Sequence, residues 1–453
     1  MARRHKSSNM KIAFKRMNSV LFTTLFITTA TLTLLLASCK KDPHPGTETP
    51  NKASAYNADV LDKWMTIQLR LMRNATGIPN QAFSRHFAYS GVTVCESLRP
   101  GSTGNKEWPN KWNGLTGLPA SGYWKDYYLP ANVNAALAAI NRSMFPNAST
   151  ADKSAIDSLE TALKQEFLAK EPAAIISNSE NFGKSVAIAV FKWAETDGYK
   201  DASAPYTVPT GAGIWKPTAP AFAPASTPYW GNNRTIITGS ISNTPVKGLA
   251  AYSTEPGSAF YKMVKQVYDA SLTLTDDQKA MALFWRDVPG ITSPGHWVSI
   301  VQQIVKAKNV KLDKAVVAYA LSGAALNDVL IRSFQTKYQY LTVRPITYIH
   351  EVMGYTEWTP FIGTPPHPEC ISNHASLSVA AAAVLEELFG KNQPFTDHTY
   401  DYMGMAPRSY PSYAAIGLEA GISRLYGGIH YIPSIDEGTA MGKKVVENIL
   451  KGN

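Results

Sequence analysis

Cysteine is scarce, with three in 453 residues, too few for the disulfide framework that stabilises small secreted folds. Charged residues are also sparse, 17% against 45% hydrophobic, which excludes a disordered chain and fits one large core or two smaller ones. Acidic residues are missing from the first 38 positions. There Arg3, Arg4, Lys6, Lys11, Lys15 and Arg16 supply six of the ten net positive charges. The +4 that remains is too modest to imply a nucleic-acid partner. Beyond Val20–Ser38 no apolar stretch reads as a bilayer span, which disfavours an enzyme embedded in the membrane. No tandem repeat is present.

What is there begins with an export signal. The uncharged run Val20–Ser38 follows the basic stretch and ends in Leu36-Ala37-Ser38-Cys39. That ending is similar to a bacterial lipobox, whose cysteine is lipidated and becomes the first residue of the mature chain. An uncleaved anchor is the alternative, but threonines dilute the run. Met10 and Met17 are alternative starts. Residues 1–38 are read as a lipoprotein signal peptide and 39–54, rich in Lys, Pro, Thr and Asn, as a tether. The expectation is a bacterial cell-envelope protein, membrane-anchored by its N-terminal lipid on a periplasmic or cell-surface face. With Cys39 acylated, Cys95 and Cys370 remain. An oxidising compartment permits their pairing, yet nothing in the sequence brings them together, and two free thiols are at least as well supported.

Downstream the pattern is helix after helix, which predicts an all-α, multi-helix bundle. Val60, Leu61, Trp64, Met65, Leu69 and Met72 recur at helical spacing. Similar stretches lie near 81–98, 131–144, 152–170 and 180–196, and after about 257 near 278–287, 295–308, 312–336, 375–390, 411–427 and 436–450. Residues 199–245 break the pattern with Pro205, Pro209, Pro217, Pro220, Pro224 and Pro228 among Trp215, Tyr229 and Trp230. No regular element survives that proline density. The segment is read as a packed connector rather than a lid. Two further loops, 345–370 and 392–410, interrupt the helices. The division expected is an N-terminal helical region, 55–245, and a catalytic domain, 246–453.

Three short segments carry the chemistry. Lys337-x6-Arg344-Pro345 sits where a helix runs out before proline. Ser372-Asn373-His374 opens an alanine-rich helix. Ser423-Arg424-x5-His430 lies near the end of the helix that begins around Tyr413. Brought together, Lys337, Arg344 and Arg424 supply three positive charges with many donors, enough for a multiply charged tetrahedral oxyanion. Ser372 and the amides at 373–374 add a helix N-terminus, where free N–H groups point outward. His374 and His430 are the groups able to move protons or attack near neutral pH. Each piece alone also has a bland reading: surface charges, a cap residue, a satisfied core histidine.

The order and spacing resemble the superfamily that joins vanadium-dependent haloperoxidases to type 2 phosphatidic acid phosphatases and bacterial acid phosphatases. "TKYQYLTVRP" (336–345), "TPPHPECISNHAS" (364–376) and "EAGISRLYGGIHY" (419–431) carry the resemblance, and "GIWKPT" (213–218) and "PYWG" (228–231) extend it. It implies the helical-bundle fold of that superfamily, with vanadate as cofactor in a haloperoxidase and none in a phosphatase. His430 would bond to vanadium or attack phosphorus, and His374 would be the general acid–base. Lys337, Arg344 and Arg424 would neutralise oxyanion oxygens, with Ser372 and the Asn373 amide donating hydrogen bonds. The substrates implied are hydrogen peroxide and a halide, or a phosphomonoester. Self-association into homo-oligomers is left open.

Two positions depart from the family pattern. The family glycine is Asn373, the most tolerant substitute if the position needs positive φ. The family aspartate four residues past the last histidine is Ser434; Asp436 is the nearest substitute, and Ser434 with Glu437 could instead form a capping box. A lost carboxylate would weaken His430, which supports a third reading, an oxyanion-binding lipoprotein without turnover. His367 and Glu369 read as loop-shaping residues that could border a substrate pocket. His296 reads as a packed histidine, and Cys370 as unreactive.

Overall fold

The computed structural model describes residues 52–101, 111–287 and 291–451. The signal, Cys39 and most of the tether lie outside that range. Thirteen α-helices and one two-stranded hairpin make up the regular structure of the described residues, so the expected all-α class is what the chain adopts.

The N-terminal helices are α1 (Asp59–Asn74), α2 (Ala82–Ser97), α3 (Leu129–Met144), α4 (Thr150–Leu168) and α5 (Ala173–Ala194). After the proline-rich segment come α6 (Ala259–Leu272), α7 (Asp276–Phe284), α8 (Ser293–Ala307) and α9 (Leu312–Tyr340). The short α10 (Pro345–Glu351) and then α11 (Asn373–Phe389), α12 (Tyr413–Tyr426) and α13 (Ile432–Lys451) complete the set. Strands β1 (Phe395–Asp397) and β2 (Arg408–Tyr410) pair antiparallel inside the 392–410 loop.

Helix α9 is the axis of the fold. Its 29 residues are long and apolar enough to cross a membrane, contrary to the reading that nothing after residue 38 could. The helix is instead almost wholly buried in the core, and its composition explains why. Ala315, Ala318, Ala320, Gly323, Ala324 and Ala325 give it a smooth surface, so α2 lies directly against it. A Cβ at Gly91 would sit 2.7 Å from the Ala320 Cα, and one at Gly323 would sit 3.0 Å from the Ala88 Cα. Because α2 and α9 share this seam, 55–245 and 246–453 contribute to one core, and residues 51–453 form one compact unit.

The proline-rich segment is a fastened connector. Asp328 on α9, fully buried, accepts from the amides of Ile236 (2.7 Å) and Ile237 (3.0 Å) and from the Ser240 hydroxyl (2.7 Å). Gln335 donates to the Gly231 carbonyl at 2.9 Å. These bonds satisfy backbone that proline keeps out of helices and sheets. Cys95 and Cys370 are both buried and free, so they do not pair.

Candidate active site

Each of the three cations of the site is placed by a helix end. Helix α9 stops at Leu341, which turns left-handed (φ 48°). The next residues run extended beside the proline-rich segment: Trp215 N–H donates to the Leu341 carbonyl (2.6 Å) and Val343 N–H to the Gly213 carbonyl (2.9 Å). That pairing sets Arg344 at the N-cap of α10, where Pro345 suits the first helical position. Ser372 caps α11, accepting from the Ala375 amide, and its own amide donates to the Ser434 carbonyl at 3.2 Å. Glycines on α13 make this contact close: a Cβ at Gly442 would lie 2.3 Å from the Ser376 carbonyl oxygen, and one at Gly438 2.9 Å from that of Ser372. Helix α12 ends at Tyr426, so His430 lies beyond it, in the turn to α13 rather than on the helix.

The structure brings all seven residues of the three motifs to one buried place. Lys337, Arg344 and Ser372 are fully buried, with Arg424, His430 and His374 nearly so. His430, His374, Asn373 and Arg424 line a cavity of ≈540 Å³. Arg344 donates to the carbonyls of His367 (2.9 Å) and Ile429 (2.9 Å), and the same Nη1 lies 3.3 Å from His430 Nε2. Its Nη2 lies 2.9 Å from His367 Nδ1. Arg424 Nη1 lies 3.5 Å from His374 Nε2, with the Asp287 carboxylate 3.6 Å from the same nitrogen. Lys337 Nζ is taken by three backbone carbonyls, Pro368 (3.0 Å), Glu369 (3.0 Å) and Ile371 (2.5 Å). It clamps the loop and contributes charge to the cavity rather than a free donor.

Asn373 needs no positive φ: it is an ordinary first residue of α11. Its side-chain oxygen accepts from Ser333 on α9 at 2.6 Å, tying the motif helix to the central one. The amide at this position is retained at an N-terminus that lacks intrahelical partners.

The carboxylate behind His430 is Glu369, neither Ser434 nor Asp436. Glu369 Oε1 accepts from His430 Nδ1 at 2.7 Å and from the Tyr431 amide at 3.0 Å, and it is fully buried. Asp436 faces solvent. Ser434 lies inside the first turns of α13, so it starts no capping box; Glu437 instead accepts from the Lys247 amide. The Ser434 hydroxyl is close enough to hold down the Glu369 carboxyl, though not aligned as a full hydrogen bond. Sequence spacing pointed past this residue because the carboxylate arrives from the 364–372 loop, 61 positions before the histidine it orients. His367 likewise does more than shape a loop, since it braces Arg344 and borders the cavity. His296 is packed as expected, 2.6 Å from Asp397 and stacked on Trp285. Asp287, beside His374, was not singled out in the sequence at all, since no motif marks it.

Burial dominates the electrostatics. It lowers Lys337 well below the ordinary lysine range, aided by Arg344, and lowers both Arg344 and Arg424 to about 10. Burial and the neighbouring cations hold His374, His367 and His430 well below the ordinary histidine range, so all three are neutral. Burial pushes Glu369 up, against the pull of Arg344 and the Tyr431 amide. A neutral His430 whose Nδ1–H is held by Glu369 has its lone pair on Nε2, facing the cavity. Three buried cations meet one fully buried carboxylate, and the imbalance suits a multiply charged anion.

The comparisons agree with this geometry. Residues 317–452 match the model of the VCPO second helical-bundle domain. No curated protein sequence matches the chain. Among solved structures, a bacterial vanadium-dependent iodoperoxidase superposes with TM-score 0.78 at 29% identity, covering 88% of this chain and 97% of that one. The holo form of a bacterial vanadium-dependent chloroperoxidase gives 0.64 at 15% identity, covering 88% and 98%. Its apo form gives 0.63 at 15%, covering 83% and 95%. At 15% identity the likeness is one of fold. The motif-bearing C-terminal region, residues 317–452, thus matches the family model, and nearly the whole length of an iodoperoxidase is spanned. The chain therefore carries a region that matches the VCPO second helical-bundle domain and is similar, over 88% of its length, to a bacterial vanadium-dependent iodoperoxidase.

Proposed function

We propose that this protein is a vanadate-dependent haloperoxidase-like enzyme that oxidises a halide with hydrogen peroxide. The observation that carries the reading is His430: one ring nitrogen is held by a buried carboxylate, and the other lies 3.3 Å from Arg344 Nη1 on a residue that lines the same cavity as Arg424. The donor set fits vanadate. His430 Nε2 is the nitrogen that would bond it. Arg344 and Arg424 supply planar donors, the Asn373 amide and Ser372 hydroxyl supply the helix end, and Lys337 adds charge from behind.

Bound there, vanadate would act as a Lewis acid that activates peroxide toward halide without changing oxidation state. The chain's own residues do the rest. Glu369 keeps the His430 proton on Nδ1. Arg344 fixes both the ring and the 367–369 loop. His374, neutral and next to Arg424, is placed to accept a proton from an entering peroxide and return it to a departing oxygen.

The 29%-identical relative is an iodoperoxidase, so iodide is the first halide to test. Vanadate-loaded protein lacking residues 1–39 is expected to oxidise iodide and to leave p-nitrophenyl phosphate unhydrolysed. Hydrolysis that vanadate inhibits, with no iodide oxidation, would refute the reading in favour of a phosphatase. Export and lipid anchoring at Cys39 are proposed from the Leu36–Cys39 motif. Palmitate labelling that survives Cys39→Ala would overturn them.

A further inference from the structure

The cavity is larger than the reaction needs. Peroxide and a halide are small, whereas ≈540 Å³ falls within the range of pockets that hold organic molecules. Its lining extends beyond the motif residues. Phe361, Pro365 and Pro366 add apolar surface to it, and Phe361 is 39% exposed. Facing the same space is Arg286, which follows α7. Its guanidinium forms no hydrogen bond or ion pair with any described residue. Ser293, at the start of α8, is 5% exposed and lines the cavity, and its hydroxyl has no hydrogen-bond partner among the described residues. A buried hydroxyl and an arginine guanidinium that line one cavity, neither with a partner among the described residues, mark a place where a polar ligand belongs.

We propose that this part of the cavity seats an organic, electron-rich aromatic acceptor bearing a carboxylate, which the oxidised halogen then attacks. The carboxylate meets the Arg286 fork and the Ser293 hydroxyl, and the ring lies against Phe361 and Pro365. Peroxide, halide and a proton give hypohalous acid and water. Hypohalous acid then forms a carbon–halogen bond as the ring's carbon–hydrogen bond breaks, and the proton leaves with the hydroxide as a second water. The inference rests on the haloperoxidase reading for its chemistry but not for its binding.

Two measurements keep those apart. In one vessel, vanadate-loaded protein is offered 4-hydroxyphenylacetate and its amide at equal concentration, so the ratio of halogenated products is independent of how fast oxidant forms. The wild type is expected to favour the carboxylate by roughly tenfold, the worth of one charge-assisted contact. Arg286→Gln should bring the ratio near one, and Arg286→Lys should retain part of it. Separately, calorimetric titration of vanadate-free protein with 4-hydroxyphenylacetate should show binding that Arg286→Gln abolishes. Binding without any peroxidase activity would sink the haloperoxidase reading and leave the seat standing. A wild-type ratio near one, or a ratio that Arg286→Gln leaves unchanged, would overturn the seat.

Discussion

Substituting Glu369 by Gln separates two effects that usually travel together. Removing a buried negative charge makes the cavity more attractive to any anion. At an assumed separation of ~6 Å and an effective dielectric near 20, that gain is about 3 kcal/mol. The same change replaces the 2.7 Å charge-assisted bond to His430 Nδ1 by a neutral one, which is about half as strong. His430 Nε2 then becomes a poorer donor to a metal. Phosphate experiences only the first effect, whereas vanadate, bonded to His430, experiences both. The ratio of vanadate to phosphate affinity therefore cancels the Coulomb gain. It should fall about tenfold in Glu369→Gln, a difference near 1.4 kcal/mol. Glu369→Ala, which leaves the Tyr431 amide unpaired as well, should lower the ratio further and cost stability. The assay is calorimetric titration of vanadate-free protein with each anion, with a urea melt to confirm the native fold. A ratio within threefold of wild type in a natively folded Gln variant would refute the assignment of Glu369 as the residue that positions His430.

Three other outcomes follow from the same geometry. Arg344→Lys cannot reproduce the fork that holds His367, Ile429 and His430, and should weaken both anions by about 10- to 100-fold in the same titrations. Gly442→Ala would push a methyl into the Ser376 carbonyl. It should cost about 1–3 kcal/mol in a urea melt and loosen vanadate binding, because α13 carries the Ser434 contact to the α11 cap. For pH, burial pushes Asp328 up to about 6. A carboxyl raised above its unfolded value stabilises the fold most below about pH 4 and loses that contribution as pH rises through 6, by about 3 kcal/mol. The stability gap between wild type and Asp328→Asn should therefore narrow between pH 4.5 and 7, and a gap that widens would contradict the burial argument.

The helices were legible because each buries a stripe at helical spacing, and α2, α3, α4, α7, α8 and α9 fall close to their expected spans, while α5 starts earlier, at Ala173. The exceptions are physical. Helix α10 hides behind the left-handed turn at Leu341 and Pro345, so that one helix ends and the next starts within five residues. Hairpin β1–β2 is three residues per strand, too short for alternation to register. Helix α13 begins at Ile432, ahead of its expected start, because Pro433 opens a helix as readily as it ends one. In the site, the cations and histidines were legible as a set because motif spacing fixes which helix end each occupies. Glu369 and Asp287 were not, because a carboxylate reaching in from a loop carries no periodic signature and can be assigned only once the loop is placed. Ser434 shows the converse: the position expected to hold the acid is close to the acid instead.

Removing or adding the anion should also show in the fold. Burying Lys337, Arg344 and Arg424 together is costly without a counter-charge. Vanadate at one hundred times its dissociation constant should add about 2.7 kcal/mol to unfolding stability, read as a raised melting midpoint. At the same vanadate concentration, Arg424→Gln should blunt this gain.

The central claim is that His430 Nε2 bonds the metal. X-ray absorption at the vanadium edge of stoichiometrically loaded protein reads it most directly. The account predicts a single imidazole nitrogen in the vanadium shell of the wild type and of His374→Ala, absent from His430→Ala together with iodide oxidation. A nitrogen shell that survives in His430→Ala would contradict it.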